Sequence, residues 1–349
     1  MIRRVLVAAG AAAIPAAVAS LLVRRGADRL LAAPRVLPEE SALGPELDAL
    51  GGEVVRLRSR DGLRLSGRWL PAGAATDEWT PDPGEAILLL HGWSGSVAPD
   101  VVEYGPFLRR TAGVLGLDFR GHGESDDAPT TFGLREVEDV AGALAWLGER
   151  GIRRVVIFGT SMGGITALAA TVVLGDGSLP GADTEADAPA SVAVPPRPRI
   201  VGIVAESVPP ELPLAIRNRV GGPFRGPIST QLFAAAARRL GGDPRATEPI
   251  RVIRLIEVPV LLIHGDADET VPIRDARRLL AEAGPNVEQW VVTGATHSRA
   301  HGLGPQAYED RVTKFVRTTL SDAREPAAIL PASPARKPAR KRARRVVND

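Results

Sequence analysis

The most constraining passage of the chain is an apolar run, Val155-Val156-Ile157-Phe158, that leads without a spacer into Gly159-Thr160-Ser161-Met162-Gly163. A second apolar run, Ile165 to Leu174, follows at once and has the length of a helix. Strand, sharp turn and helix are thus joined within a few residues, an arrangement suited to a sheet with helices packed on it. The two glycines have a mechanical reason, because side chains two residues either side of Ser161 would collide in so tight a turn. Ser161 then stands at a helix N-terminus, where free N–H groups and the helix dipole favour developing negative charge. A Gly-x-Ser-x-Gly run alone is weak support in a chain with 37 glycines, and Ser161 as a simple N-cap is the plainer reading. Its place between strand and helix is what marks Ser161 as a nucleophile.

The rest of the chain repeats the alternation. Short apolar runs at Ala86 to Leu90, Val114 to Asp118, Ile200 to Ala205, Val260 to His264 and Glu288 to Val292 read as strands, most of them buried on both faces of a parallel sheet. Before them, alternation from Val55 through Asp61-Gly62 to Trp69 predicts a β-hairpin with a tight turn. The spacing over 133–150 predicts a helix with Leu134, Val137, Ala141, Leu144 and Ala145 inward and Arg135, Glu136, Glu138 and Asp139 outward. Residues 36–322 therefore read as one α/β domain with right-handed crossovers. Two stretches interrupt it: a Pro/Gly/Ala/Asp-rich insertion at 175–199, expected to be mobile and without chemistry, and a partly helical segment at 208–250, placed where a lid over a strand-end site belongs.

The two ends differ from this body. Residues 1–35 hold six Arg against Asp28, and residues 331–349 hold seven Lys/Arg against Asp349, so a net charge of +2 conceals an acidic middle. An acidic middle argues against nucleic acid as a partner. Val5 to Val23 is uncharged and flanked by Arg pairs, long enough to approach the span of a bilayer core, so it is expected to be a transmembrane helix that anchors the chain or an export signal cleaved near Ala17 to Ser20. Residues 323–349 read as a disordered basic tail with an affinity for anionic lipid surfaces. The absence of cysteine removes thiol nucleophiles and thiolate metal sites from consideration.

A serine nucleophile needs a base, and the base needs an orienting carboxylate. Of the five histidines, His297 follows the last strand, in the chain order nucleophile, acid, base, with His301 as its competitor. The segment His264-Gly265-Asp266-Ala267-Asp268, just beyond a buried run, offers Asp268 as the acid; Asp266 lies close enough to the strand to brace the turn, and Glu206 at the end of an earlier strand is a third choice. Two backbone N–H groups are needed for a tetrahedral oxyanion. Met162, next after the nucleophile, supplies one, and Trp93 in His91-Gly92-Trp93-Ser94-Gly95 the other.

With these motifs in hand, the chain resembles the α/β-hydrolase superfamily over most of residues 53–320. The resemblance is carried by His91-Gly92-Trp93, Asp118 to Ser125, Gly159 to Gly163, the Asp268 segment and His297, in that order, and is nearest to bacterial esterase, dienelactone-hydrolase-like and prolyl-oligopeptidase-like catalytic domains. It implies an α/β-hydrolase fold, a mostly parallel eight-stranded sheet flanked by helices with a short helical lid. It also implies an acyl hydrolase that needs neither cofactor nor metal. Leu212, Leu214, Ile216, Phe224, Leu232 and Phe233 make the lid apolar, which favours a small-molecule carboxylic ester or thioester as substrate. A serine peptidase or aminopeptidase of the same fold is the alternative, and a membrane-tethered, non-catalytic interaction protein on this scaffold is the alternative of another class.

Overall fold

The computed structural model describes residues 21–32, 35–37, 43–76, 78–93, 95–175, 197–220, 225–240 and 242–324. Most of the apolar run from Val5 to Val23, the 175–199 insertion except its ends, Phe224, and the basic tail beyond residue 324 lie outside them. Among the described residues no helix is long and apolar enough to cross a membrane.

In chain order the elements are α1 (21–31), α2 (Gly44–Leu50), β1 (Glu53–Arg58), β2 (Arg64–Leu70), β3 (Glu85–Leu90), α3 (Ala98–Leu108), β4 (Gly113–Leu117), α4 (Glu136–Glu149), β5 (Arg154–Thr160), α5 (Met162–Leu174) and β6 (Arg199–Glu206). They continue with α6 (Leu212–Val220), α7 (Arg225–Leu240), α8 (Pro249–Val252), β7 (Val260–Gly265), α9 (Ile273–Ala281), β8 (Val287–Val292), α10 (Ala300–Leu303) and α11 (Pro305–Arg324). The eight strands form one sheet in the order β1-β2-β4-β3-β5-β6-β7-β8. Only β2 runs against its neighbours; every pairing from β4 to β8 is parallel. This is the mostly parallel, eight-stranded α/β-hydrolase sheet that the motifs imply.

Strand β3 shows why continuous apolar runs were the right signal. Its six residues are all buried, with Ala86, Leu88 and Leu90 facing the layer of α4 and α5 and Ile87 and Leu89 facing that of α3 and α11. On the second face α11 presents Tyr308, Val312, Val316 and Leu320, one every four residues. After β3 the chain crosses to β4 on one side; from β5 it continues to β6 on the other. Connections diverge at the ends of β3 and β5, the place where an open α/β sheet leaves a crevice for a ligand.

The β1–β2 hairpin closes on the expected tight Asp-Gly turn: the Gly62 N–H donates to the Ser59 carbonyl at 3.0 Å, Gly62 takes φ 97°, and the Ser59 N–H donates to the Leu63 carbonyl at 2.9 Å. One local reading is corrected. Helix α4 begins at Glu136, and both Glu136 and Asp139 are buried whereas Ala145 is exposed. Glu136 accepts from the N–H groups of Thr131 and Gly133 and from the Thr131 hydroxyl, tying the preceding turn to the helix. Asp139 accepts from the Arg120 backbone N–H at 3.0 Å and from its guanidinium at 2.7 Å. Charge alone mislocated both residues, because a buried carboxylate is tolerated wherever its acceptors are filled.

Candidate active site

The elbow at Ser161 is built as its glycines require. Ser161 has φ 49° and ψ −107°, a conformation costly for a residue with a side chain, and it is held there by its N–H donating to the Glu206 carbonyl at 2.8 Å. A Cβ on Gly159 would collide with the backbone of Gly163, and a Cβ on Gly163 with the Leu90 carbonyl. The turn therefore closes against the end of β3, and the loop that follows β3 comes to lie over it. A Cβ on Gly92 would stand 3.7 Å from the Ser161 Cβ.

His297 arrives from the loop after β8. Its Nε2 lies 3.0 Å from the Ser161 hydroxyl, and its Nδ1 lies 2.8 Å from Asp268 Oδ2. Asp268 follows β7 and its side chain is fully enclosed. Burial by itself would raise its carboxyl pKa, but the His297 ring and the Val271 N–H, which donates to Oδ1 at 2.8 Å, hold it below the ordinary value. An ionised Asp268 can only accept, so Nδ1 of His297 carries the proton and Nε2 is left to accept from Ser161.

The competing residues go elsewhere. His301 pairs with Glu103 at 3.1 Å and stacks on Phe107. Asp266 accepts from the Gly294 N–H at 2.6 Å, bracing the turn. Glu206 accepts from the Tyr308 hydroxyl at 2.6 Å and from the Ala300 N–H at 3.1 Å, and burial raises its pKa. His91, His122 and His264 are buried with pKa values lowered by that burial, and each bonds a neighbouring loop; His91 Nε2, for example, accepts from the Phe119 N–H at 3.1 Å.

Met162 opens α5, so its N–H has no acceptor within the helix and points out of the helix start beside the nucleophile. Trp93 lies across from it; its indole N–H donates to the Leu30 carbonyl at 3.2 Å, and its ring is partly buried against the core. Both residues line the cavity that holds Ser161, and the Trp93 side chain covers the core as well.

That space is a cavity of about 300 Å³ whose floor holds Ser161 and His297. The lid residues Leu212, Ile216, Leu232 and Phe233 line it, as the apolar pattern of the lid suggested, whereas Leu214 does not. Sequence reasoning missed Phe132, Ile165, Val271 and the part of α1 that lines the same cavity. For α1 a signal existed, since Val23, Ala27 and Leu31 recur every four residues, the spacing of one helix face.

A profile of the alpha/beta hydrolase family matches residues 87–311, a span that includes both walls of the elbow and every residue of the Ser161–His297–Asp268 chain. The chain belongs to the alpha/beta hydrolase family. Among its relatives in this family, the uncharacterized protein YfhR of Salmonella typhimurium is 24% identical over 290 residues, covering 81% of this chain and 87% of that protein. The uncharacterized protein YqkD of Bacillus subtilis is 28% identical over 240 residues, covering 67% and 72%. Of solved structures, the esterase Pf2001 of Pyrococcus furiosus superposes with a TM-score of 0.59 at 23% identity, covering 82% of this chain and 98% of the esterase, which shows the shared fold.

Proposed function

We propose that this alpha/beta hydrolase is a serine esterase that cleaves a carboxylic ester or thioester through an acyl-enzyme on Ser161. The observation that carries the reading is the unbroken hydrogen-bonded chain from Asp268 through His297 to a strained, half-buried Ser161 that lines a largely apolar cavity. His297 Nε2 takes the hydroxyl proton as Ser161 Oγ bonds to the ester carbonyl carbon, and Asp268 steadies the imidazolium that forms. The oxyanion faces the backbone N–H groups of Trp93 and Met162. His297 then returns the proton to the leaving alcohol or thiol, and a water activated by the same ring releases the acid.

Labelling with a fluorophosphonate probe tests the reading, together with hydrolysis of p-nitrophenyl esters. The expected result is covalent labelling of the wild type, lost in Ser161→Ala along with turnover. An unlabelled wild type, or equal labelling of the variant, would favour the non-catalytic scaffold and refute the esterase. The reading also carries the expectation that Val5 to Val23 and the basic tail place the protein on an anionic membrane. Retention on anionic vesicles through a high-salt wash supports that placement, and free elution counts against it.

A further inference from the structure

Resting on the esterase reading, we infer that α1 is a specificity-determining wall of the acyl pocket and that Gly26 sets how long an acyl chain the site accepts. Helix α1 lies outside the span that matches the family profile, yet Gly26, Leu30 and Leu31 line the cavity that holds Ser161 and His297.

The helix is fixed there on several sides. Ala27 and Leu31 are buried against Ala235, Ala236 and Leu240 of the lid helix α7. Asp28 pairs with Arg239 of the same helix at 2.9 Å. At the other end the Thr130 N–H donates to the Leu31 carbonyl at 2.7 Å, and the Trp93 indole holds the Leu30 carbonyl. Trp93 lines the cavity beside Ser161 and is the residue assigned to the oxyanion in the esterase reading, so this end of α1 is tied to the wall of the reacting centre. Gly26 stands one helical turn away, about 6 Å along the axis, on the side remote from that tie.

At Gly26 the helix approaches the lid as closely as it can. A Cβ built there would lie 2.6 Å from Cδ2 of Leu232, itself a wall of the cavity. Glycine inside a helix is unfavourable, and here its lack of a side chain lets Leu232 lie back against α1. A larger residue at 26 must push Leu232 into the cavity, because the end of a leucine side chain yields more easily than two packed helices. The volume lost is volume of the cavity that Ser161 shares, the space an acyl chain would fill. Unbranched fatty acyl groups are the chemistry that fits such a site: walls that are apolar but for the exposed Arg29 of α1 itself, and length as the variable that is read.

The test uses the full chain and p-nitrophenyl esters from acetate to dodecanoate, the leaving group held constant. In the wild type kcat/KM should rise about fourfold per methylene until the cavity is full. Gly26→Leu should lower the decanoate-to-acetate ratio of kcat/KM by tenfold or more. Leu232→Ala should shift the optimum to longer chains, and combining the two should return the ratio to within about threefold of wild type. Arg25→Gln, on the exposed side of the same helix, should keep the wild-type ratio. An unmoved ratio in a Gly26→Leu protein that the fluorophosphonate still labels would overturn the inference. So would a Leu232→Ala protein with the wild-type optimum, which keeps the inference testable even where Gly26→Leu fails to fold. Loss of labelling in the wild type would instead remove the esterase reading beneath it, a distinct result.

Discussion

Replacing Asp268 by Asn tests the geometry of the site more sharply than deleting it. In the wild type Oδ1 accepts from the Val271 N–H and Oδ2 accepts from His297 Nδ1. An asparagine of the same shape must satisfy Val271 with its carbonyl oxygen, which leaves its NH2 group facing His297. Nδ1 then becomes the acceptor and the ring proton moves to Nε2, the atom that has to accept from Ser161. The fold is retained and the base is switched off. The expected loss in kcat is about 10⁴, the size known for this change of tautomer in a Ser-His-Asp site, and equivalent to about 5.5 kcal/mol of transition-state stabilisation. Steady-state hydrolysis of p-nitrophenyl butyrate measures it, with circular dichroism to verify folding. Turnover of the variant should also climb with pH, as hydroxide substitutes for the missing base. A loss of less than tenfold in a folded variant would refute the tautomer argument.

Other expectations follow from residues around the site. Asp139→Ala strips the buried Arg120 of its main partner and leaves only Asp61, so urea unfolding should show a loss of about 3–5 kcal/mol, and a loss below about 1 kcal/mol would contradict the pairing. Gly163→Ala drives a Cβ into the Leu90 carbonyl and displaces the Trp93 loop from Ser161; kcat should fall by about 10², and an unchanged kcat would mean that the elbow has room to spare. Burial pushes Asp118 up to about 6, despite the N–H groups of Val97 and Glu124 that favour its ionised form. A folded pKa above the unfolded value gives a contribution that is complete below about pH 4 and lost as pH rises through 6. Relative to Asp118→Asn, the wild type should therefore lose about 2 kcal/mol between pH 4 and pH 7, and parallel stability–pH curves would disprove the shift.

What the sequence made legible was local and strongly patterned. Strand β3 could be read because both of its faces are covered, so all six residues had to be apolar or paired. The elbow could be read because its glycines leave the turn no alternative. His297 and Asp268 could be placed by order along the chain, although their contact spans 29 positions and only the fold brings them together. The misreadings share a different cause. Glu136 and Asp139 looked solvated because their acceptors are filled by Thr131, Gly133 and Arg120, partners that periodicity does not reveal. Helix α1 carried its repeat of Val23, Ala27 and Leu31 openly, but a repeat shows a face to be covered and not what covers it, and its partners in α7 lie about 200 residues along the chain.

The docking of α1 has a consequence for the order in which the enzyme acquires its properties. Arg239 reaches the Arg24 carbonyl across 215 positions of chain, against 136 for His297 and Ser161. Closing the longer loop carries the larger entropic cost, and the small face around Ala27 returns little apolar burial for it. If α1 sets selectivity as inferred above, selectivity is expected to be lost before catalysis on unfolding. On the esterase reading, along a series of low urea concentrations the decanoate-to-acetate ratio should fall while acetate turnover persists, and only then should turnover be lost. A ratio that holds until turnover vanishes would mean that wall and catalyst unfold as one unit.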